Sequence, residues 1–231
     1  MNPGILPATN THGETGIPTR FDTQPRDPDT MALSIYQLKP AFQNLLRPLA
    51  GALFRAGVTA NQVTLFACVV SVALGIGLFL VPDSRAFALL PVWFFVRMAF
   101  NALDGMLARE FGQRSNLGAY LNELTDVVSD AALYLPFAHL APFDPFWVGA
   151  FILAAALSEM AGILGQTVGA SRRYDGPFGK SDRAVLIGTL GLAVALWHPL
   201  PAWVGWLIPL AVGLTAFTVV RRVRSGLQEI R

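Results

Sequence analysis

Two stretches place carboxylate and amide oxygens at helical spacing within otherwise apolar sequence. In the first, Arg97, Asn101, Asp104 and Ala108 recur at steps of four, three and four residues, so they share one face of a helix. In the second, Gly118, Asn122, Asp126 and Asp130 recur every four residues along another face. Gly105 and Ala108 keep bulk away from the first face, where a phosphate or a neighbouring helix can approach the backbone. A short loop carrying Arg109 and Arg114 joins the two stretches. Antiparallel helices so joined present oxygen ligands to each other, a donor set suited to Mg²⁺ or Mn²⁺. Metal-assisted phosphoryl transfer is the chemistry such a set can perform, given cations for the remaining oxygens and a group to orient the nucleophile.

The elements that must position these residues are membrane helices. The chain of 231 residues is 53% hydrophobic and 14% charged, whereas a soluble domain is about 25% charged. A net charge of +2 is too small to indicate nucleic acid as a partner. The single Cys68 excludes an intrachain disulfide. Six apolar segments are expected near 62–81, 86–107, 118–140, 146–169, 184–198 and 202–220, the fifth being short enough to extend into the preceding loop. Residues 1–30 are polar and rich in Pro, Thr, Asp and Gly, which predicts disorder; they lack the layout of a signal peptide. Met31 is the expected start, with a genuine floppy tail as the alternative. From residue 34 to 56, Ile35, Leu38, Phe42, Leu45, Leu49 and Leu53 follow a helical period, with Lys39, Gln43, Arg47 and Arg55 off it. That pattern predicts an amphipathic helix in the membrane interface, or one packed on the protein's own surface, kinked or split at Pro48.

The expected fold class is therefore an all-α integral membrane protein: six transmembrane helices preceded by an interfacial amphipathic helix. Its divisions are a tail over 1–30, the interfacial helix over 31–58, the membrane domain over 59–225 and a cytoplasmic tail over 226–231. Lys and Arg fall before the first span, after the second, after the fourth and at the C-terminus, while the other connections hold only Arg85. Both termini and the motif are then cytoplasmic, and a bacterial inner membrane is the expected location. Arg109, Lys180 and Arg183 are the cations available on the motif side.

The run Asp104-Gly105-x-x-Ala108-Arg109, eight residues, then Gly118 with polar residues four and eight further on, resembles the CDP-alcohol phosphatidyltransferase motif D-x-x-D-G-x-x-A-R-x8-G-x3-D-x3-D. Ala60-Asn61-x-x-Thr64 resembles that family's P-N-x-x-T element, and Gly179-Lys180 its G-K element. YQLKPAFQNLLRP, LNELTDVVSDAALYLPF and GPFGKSDRA look like one bacterial branch of the family that also begins near Met31. The resemblance implies six membrane helices, a CDP-linked donor such as CDP-diacylglycerol, transfer of its substituted phosphoryl group to an alcohol, release of CMP, one or two Mg²⁺ or Mn²⁺ ions, and a homodimer. It makes Asp104 and Asp126 metal ligands, Asp126 also the base for the acceptor hydroxyl, and Asn61, Thr64, Gly105, Ala108, Arg109, Gly118, Lys180 and Arg183 substrate-binding residues.

Two departures stand out. The first and third motif aspartates are Asn101 and Asn122 here. An amide can ligate a metal but brings no charge, so two carboxylates match a single ion better than two, unless Glu123 or Asp130 joins. A register using Asp126 and Asp130 as the motif pair is the alternative and requires one extra helical turn. The asparagines leave open a protein that binds the CDP-lipid without turnover. Arg97, Asp130 and Glu159 leave open a small transporter or proton relay. By depth, Arg97 is expected to pair with Asp130 or Glu159. The acceptor alcohol is not identified.

Overall fold

The computed structural model describes residues 35–81 and 83–231. The predicted tail over 1–30 lies outside the described residues. Seven helices follow one another: α1 (Ile35–Arg55), α2 (Ala60–Leu80), α3 (Leu89–Glu110), α4 (Asn116–Tyr134), α5 (Pro145–Leu164), α6 (Lys180–Trp197) and α7 (Leu207–Glu229). Short 3-10 turns extend several of them, at Ser84–Ala88 before α3, Leu135–His139 after α4, Gly165–Val168 after α5 and Ala202–Trp206 before α7. There is no strand among the described residues.

Local chemistry explains where these helices begin. Thr59 caps α2, accepting from the Gln62 amide, while the Gln62 side chain accepts from the Thr59 amide in return. Ser115 caps α4 by accepting from Gly118 N. The Asp182 carboxylate accepts from Gly179 N and fixes the start of α6 at Lys180. The fifth segment therefore does extend into the preceding loop, as its shortness predicts. Helix α1 runs through Pro48 as one element of 21 residues rather than splitting there. It packs on α3 through Ala50, Leu46 and Leu53, and Arg47 meets Glu110 at the end of α3.

Four helical segments are long and apolar enough to cross a bilayer: Ala60–Leu80, Ser84–Glu110, Pro145–Val168 and Ala202–Glu229. Helices α4 and α6 sit in the two remaining expected spans but leave no apolar stretch of comparable length, with three charged residues in each. These are Glu123, Asp126 and Asp130 on α4, and Lys180, Asp182 and Arg183 on α6. Glu123 and Asp126 of α4 and Lys180 and Asp182 of α6 line one polar cavity, while Asp130 and Arg183 are buried in ion pairs outside its lining.

Helices α2 and α4 approach closely. At Gly75 an added Cβ would meet the Ala132 carbonyl oxygen at 2.2 Å, so α2 and α4 touch backbone to backbone. Below the cavity an apolar core joins Leu90, Leu133, Phe137, Phe151, Ile187 and Ile208 from five helical segments.

Candidate active site

The cavity has a volume of about 930 Å³. It is lined by Asn61 and Thr64 of α2, Asn101, Asp104, Gly105, Ala108 and Arg109 of α3, Gly118, Asn122, Glu123 and Asp126 of α4, and Lys180 of α6. Every residue of the motif thus faces one space, although the motif spans three helices and the start of a fourth. Gln113 holds the corner: its side-chain oxygen accepts from Ala60 N at 2.7 Å and its amide donates to Val58 O, tying the α3–α4 loop to the start of α2.

Asp104 is 6% exposed. The Thr64 hydroxyl donates to its Oδ2 at 2.8 Å and also lies 3.0 Å from the Ala60 carbonyl. The other motif carboxylate, Asp126, takes Arg97 Nη2 on Oδ1 at 3.0 Å and is ion-paired to Lys180 through Oδ2. Two glycines are set by contact. The Arg109 guanidinium crosses Gly105, where a Cβ would lie 2.8 Å from Nη2. At Gly118 a Cβ would lie 2.8 Å from Asn61 Oδ1. A side chain at either position would displace Arg109 or Asn61.

Three candidates stand apart from the rest. Asp130 does not line the cavity; it is buried and paired with Arg97. Arg183 is fully buried and donates to Glu159 Oε1 at 2.7 Å. Glu123 does face the cavity, but its carboxylate is held by Arg172 through both oxygens. Of the two partners expected for Arg97, the structure selects Asp130. Glu159 is instead shared by Arg183 and Arg222.

Arg172, Tyr174, Glu159 and Arg222 complete the far wall of the cavity; of these the sequence singles out only Glu159, as a deep charge. Both arginines look like orientation charges in the sequence. The available signal was Glu123 and Glu159, since a carboxylate in a membrane helix requires a cation partner. The loop bearing Arg172 is pinned from outside: Arg173 donates to Asp175 at 2.7 Å and to Glu229 of α7 at 2.7 Å. The Arg173 hydrogen bond holds the Asp175 carboxyl below its ordinary range.

The side chains that could hold a metal in this cavity are the Asp104 and Asp126 carboxylates and the Asn101 and Asn122 amides. Among the described residues no group of three or more His, Cys, Asp and Glu side chains is placed to hold a metal. Oxygen donors with two negative charges fit one hard divalent cation.

Long apolar helices around a charged internal cavity define a membrane-embedded protein with a polar site. The chain belongs to the CDP-alcohol phosphatidyltransferase family, whose model matches residues 57–220, and members of that family are enzymes that transfer phosphatidyl groups. It is 47% identical over 198 residues to the inner membrane protein YnbA of Escherichia coli strain K12, covering 84% of this chain and 97% of the relative. It is 29% identical over 197 residues to phosphatidylinositol phosphate synthase of Mycobacterium bovis, covering 81% and 88%. The fold is similar to Mycobacterium tuberculosis phosphatidylinositol phosphate synthase at 25% identity and a TM-score of 0.64. That protein is known in complex with manganese and citrate, covering 78% of this chain and 88% of that chain. It is also known with CDP-DAG bound, covering 78% and 92%.

Proposed function

We propose that this protein transfers the phosphatidyl group of CDP-diacylglycerol to an alcohol and releases CMP. The observation that carries this is the junction of two spaces. The polar cavity adjoins an apolar cleft of about 600 Å³ between α3 and α6, and both are lined by Asn101, Lys180 and Ser181. Phe94, Phe95, Met98 and Leu192 line the cleft, which suits acyl chains, while the cavity suits a nucleoside diphosphate. CDP-DAG bound to the mycobacterial relative supports the same donor here. Six spans, with both termini and the cavity on the cytoplasmic side of an inner membrane, agree with the distribution of Lys and Arg. Leu45 and Leu49 are exposed, and α1 lies in the interface with that side toward lipid.

Asp104 and Asp126, with Asn101 and Asn122, would hold one Mg²⁺ or Mn²⁺, which supplies neutralisation of the diphosphate when bound; manganese in the relative supports this. Asn61, Thr64 and Arg109 bind the donor's diphosphate and nucleoside from the α2 and α3 sides. Gly105, Ala108 and Gly118 leave room for it against the backbone. The acceptor oxygen attacks the phosphorus that bears diacylglycerol, the bond to the CMP phosphate breaks, and the acceptor's proton passes to Asp126. Lys180, already against Asp126, stabilises the phosphoryl oxygens during the displacement.

Thermal stability of the purified protein in detergent, with CDP-diacylglycerol and with or without Mn²⁺, tests the donor site. We expect metal-dependent stabilisation of several degrees that is lost in Asp104→Asn. A folded wild type showing no shift would refute the donor site. The asparagines favour a second reading in which the donor binds without turnover. Stabilisation without CMP release from any alcohol would establish that reading; CMP release abolished in Asp126→Ala would exclude it.

A further inference from the structure

With the donor placed along α2, α3 and the cleft, the far wall of the cavity is left for the acceptor. This inference rests on the proposed function for that assignment. The wall consists of Glu123, Glu159, Arg172, Tyr174 and Arg222. Each of its cations already has a carboxylate from the protein. Arg172 Nη2 lies 2.9 Å from Glu123 Oε2, and Nη1 pairs with Oε1. The side chains of this pair are only 26% and 19% exposed. The Tyr174 ring covers the Arg172 guanidinium with 5.0 Å from Cζ to the ring centroid. Arg222 is 3% exposed, lies 3.5 Å from Glu159 Oε1 and donates to the carbonyls of Ser158 and Asp175. Behind the wall, Arg173 is taken by Asp175 and Glu229.

A phosphate monoester carries about −1.5 to −2 charges near neutral pH. To bind here it must draw Arg172 away from Glu123. That leaves a part-buried carboxylate without its partner beside the incoming anion, so both effects oppose binding. An uncharged polyol encounters neither effect: its hydroxyls donate to the carboxylates and accept from the guanidinium groups while the pairs remain closed. We propose that the acceptor is an uncharged polyhydroxy alcohol, and that Glu123, by holding Arg172, rejects phosphorylated acceptors.

Two measurements on the full chain in detergent test this. In the first, binding of myo-inositol, glycerol, their monophosphates and inorganic phosphate is titrated calorimetrically to wild type, Glu123→Gln and Glu123→Asp. We expect wild type to bind a polyol at least tenfold more tightly than its monophosphate. Glu123→Gln, with Arg172 released, should gain at least tenfold in affinity for the monophosphates, and Glu123→Asp should not. Wild type binding a monophosphate as tightly as its polyol would overturn the proposal, whether or not Glu123→Gln folds and whether or not CMP is released. In the second, CMP release is followed with CDP-diacylglycerol and Mn²⁺. The polyols should exceed their monophosphates at least tenfold in kcat/KM, and Glu123→Gln should narrow that ratio through KM. Higher kcat/KM for the monophosphates in wild type would also overturn it. No CMP release from any alcohol, with the binding contrast intact, would refute the transferase function and leave the rejection of phosphorylated ligands standing.

Discussion

Arg97 shows how one buried cation can organise two carboxylates. It is 4% exposed and reaches Asp126 and Asp130, which lie one turn apart on α4. Removing it leaves Asp130 without its cation in a buried setting and Asp126 with Lys180 alone, and breaking a buried pair costs about 3–5 kcal/mol. Arg97→Ala and Asp130→Ala should therefore each destabilise strongly, and the double variant should cost clearly less than their sum. A double-mutant cycle by denaturant unfolding in detergent measures this; additive losses would refute the coupling. The sequence made Arg97, Asp130 and Glu159 visible as deep charges but did not choose among the pairings. The choice depends on which helices are neighbours: α5 packs on α7, which brings Arg222 to Glu159, and α6 brings Arg183 to the same carboxylate. Arg183 misleads for the same reason, because spacing from Lys180 does not reveal that three residues into α6 the side chain is fully enclosed.

At the scale of elements, helix caps and helical periods were legible, and close contacts were less so. Gly75 and Gly77 look alike in the sequence as packing positions. In the fold only Gly75 touches a neighbour, at the Ala132 carbonyl, while a Cβ at Gly77 meets nothing within 4 Å. Gly75→Ala should destabilise by about 1–3 kcal/mol through overpacking against a backbone that cannot yield. Gly77→Ala should be neutral or slightly stabilising, since alanine favours helix. Thermal unfolding of the pair distinguishes packing from propensity. The loop from Gly169 to Gly179 makes a different prediction. Because Arg173 lowers the Asp175 carboxyl below its ordinary value, their contact stabilises the loop above the usual carboxylate pKa of about 4 and is lost as pH falls through the lowered value. Hydrogen exchange, corrected for its intrinsic pH dependence, should show constant protection at Ser171 and Arg173 from pH 6 to 8 and weakening only in acid.

For the whole molecule, apolar runs predicted six membrane spans; the structure has a helix in each of those segments. Four carry the apolarity of a span, whereas α4 and α6 combine span position with cavity charge. That division was not legible from hydropathy, because a charge facing a polar cavity and a charge facing lipid read identically in a sequence. The distribution of Lys and Arg predicts that both termini face the cytoplasm. A C-terminal fluorescent fusion should glow, and the matching alkaline phosphatase fusion should remain inactive. In a Cys68→Ser background, Ala202→Cys, which is exposed, should react with an impermeant thiol reagent added outside. The opposite labelling pattern would invert the topology.

The meeting of the polar cavity and the apolar cleft at Asn101, Lys180 and Ser181 would also divide the proposed reaction between two phases. On the proposed function, the donor would enter sideways from the bilayer and the lipid product return there, while CMP would depart into water. Collision with the donor is then a two-dimensional event. Velocity should follow the donor's mole fraction in the micelle or membrane rather than its molar concentration in the tube, so adding inert detergent at fixed donor concentration should slow the enzyme by surface dilution alone.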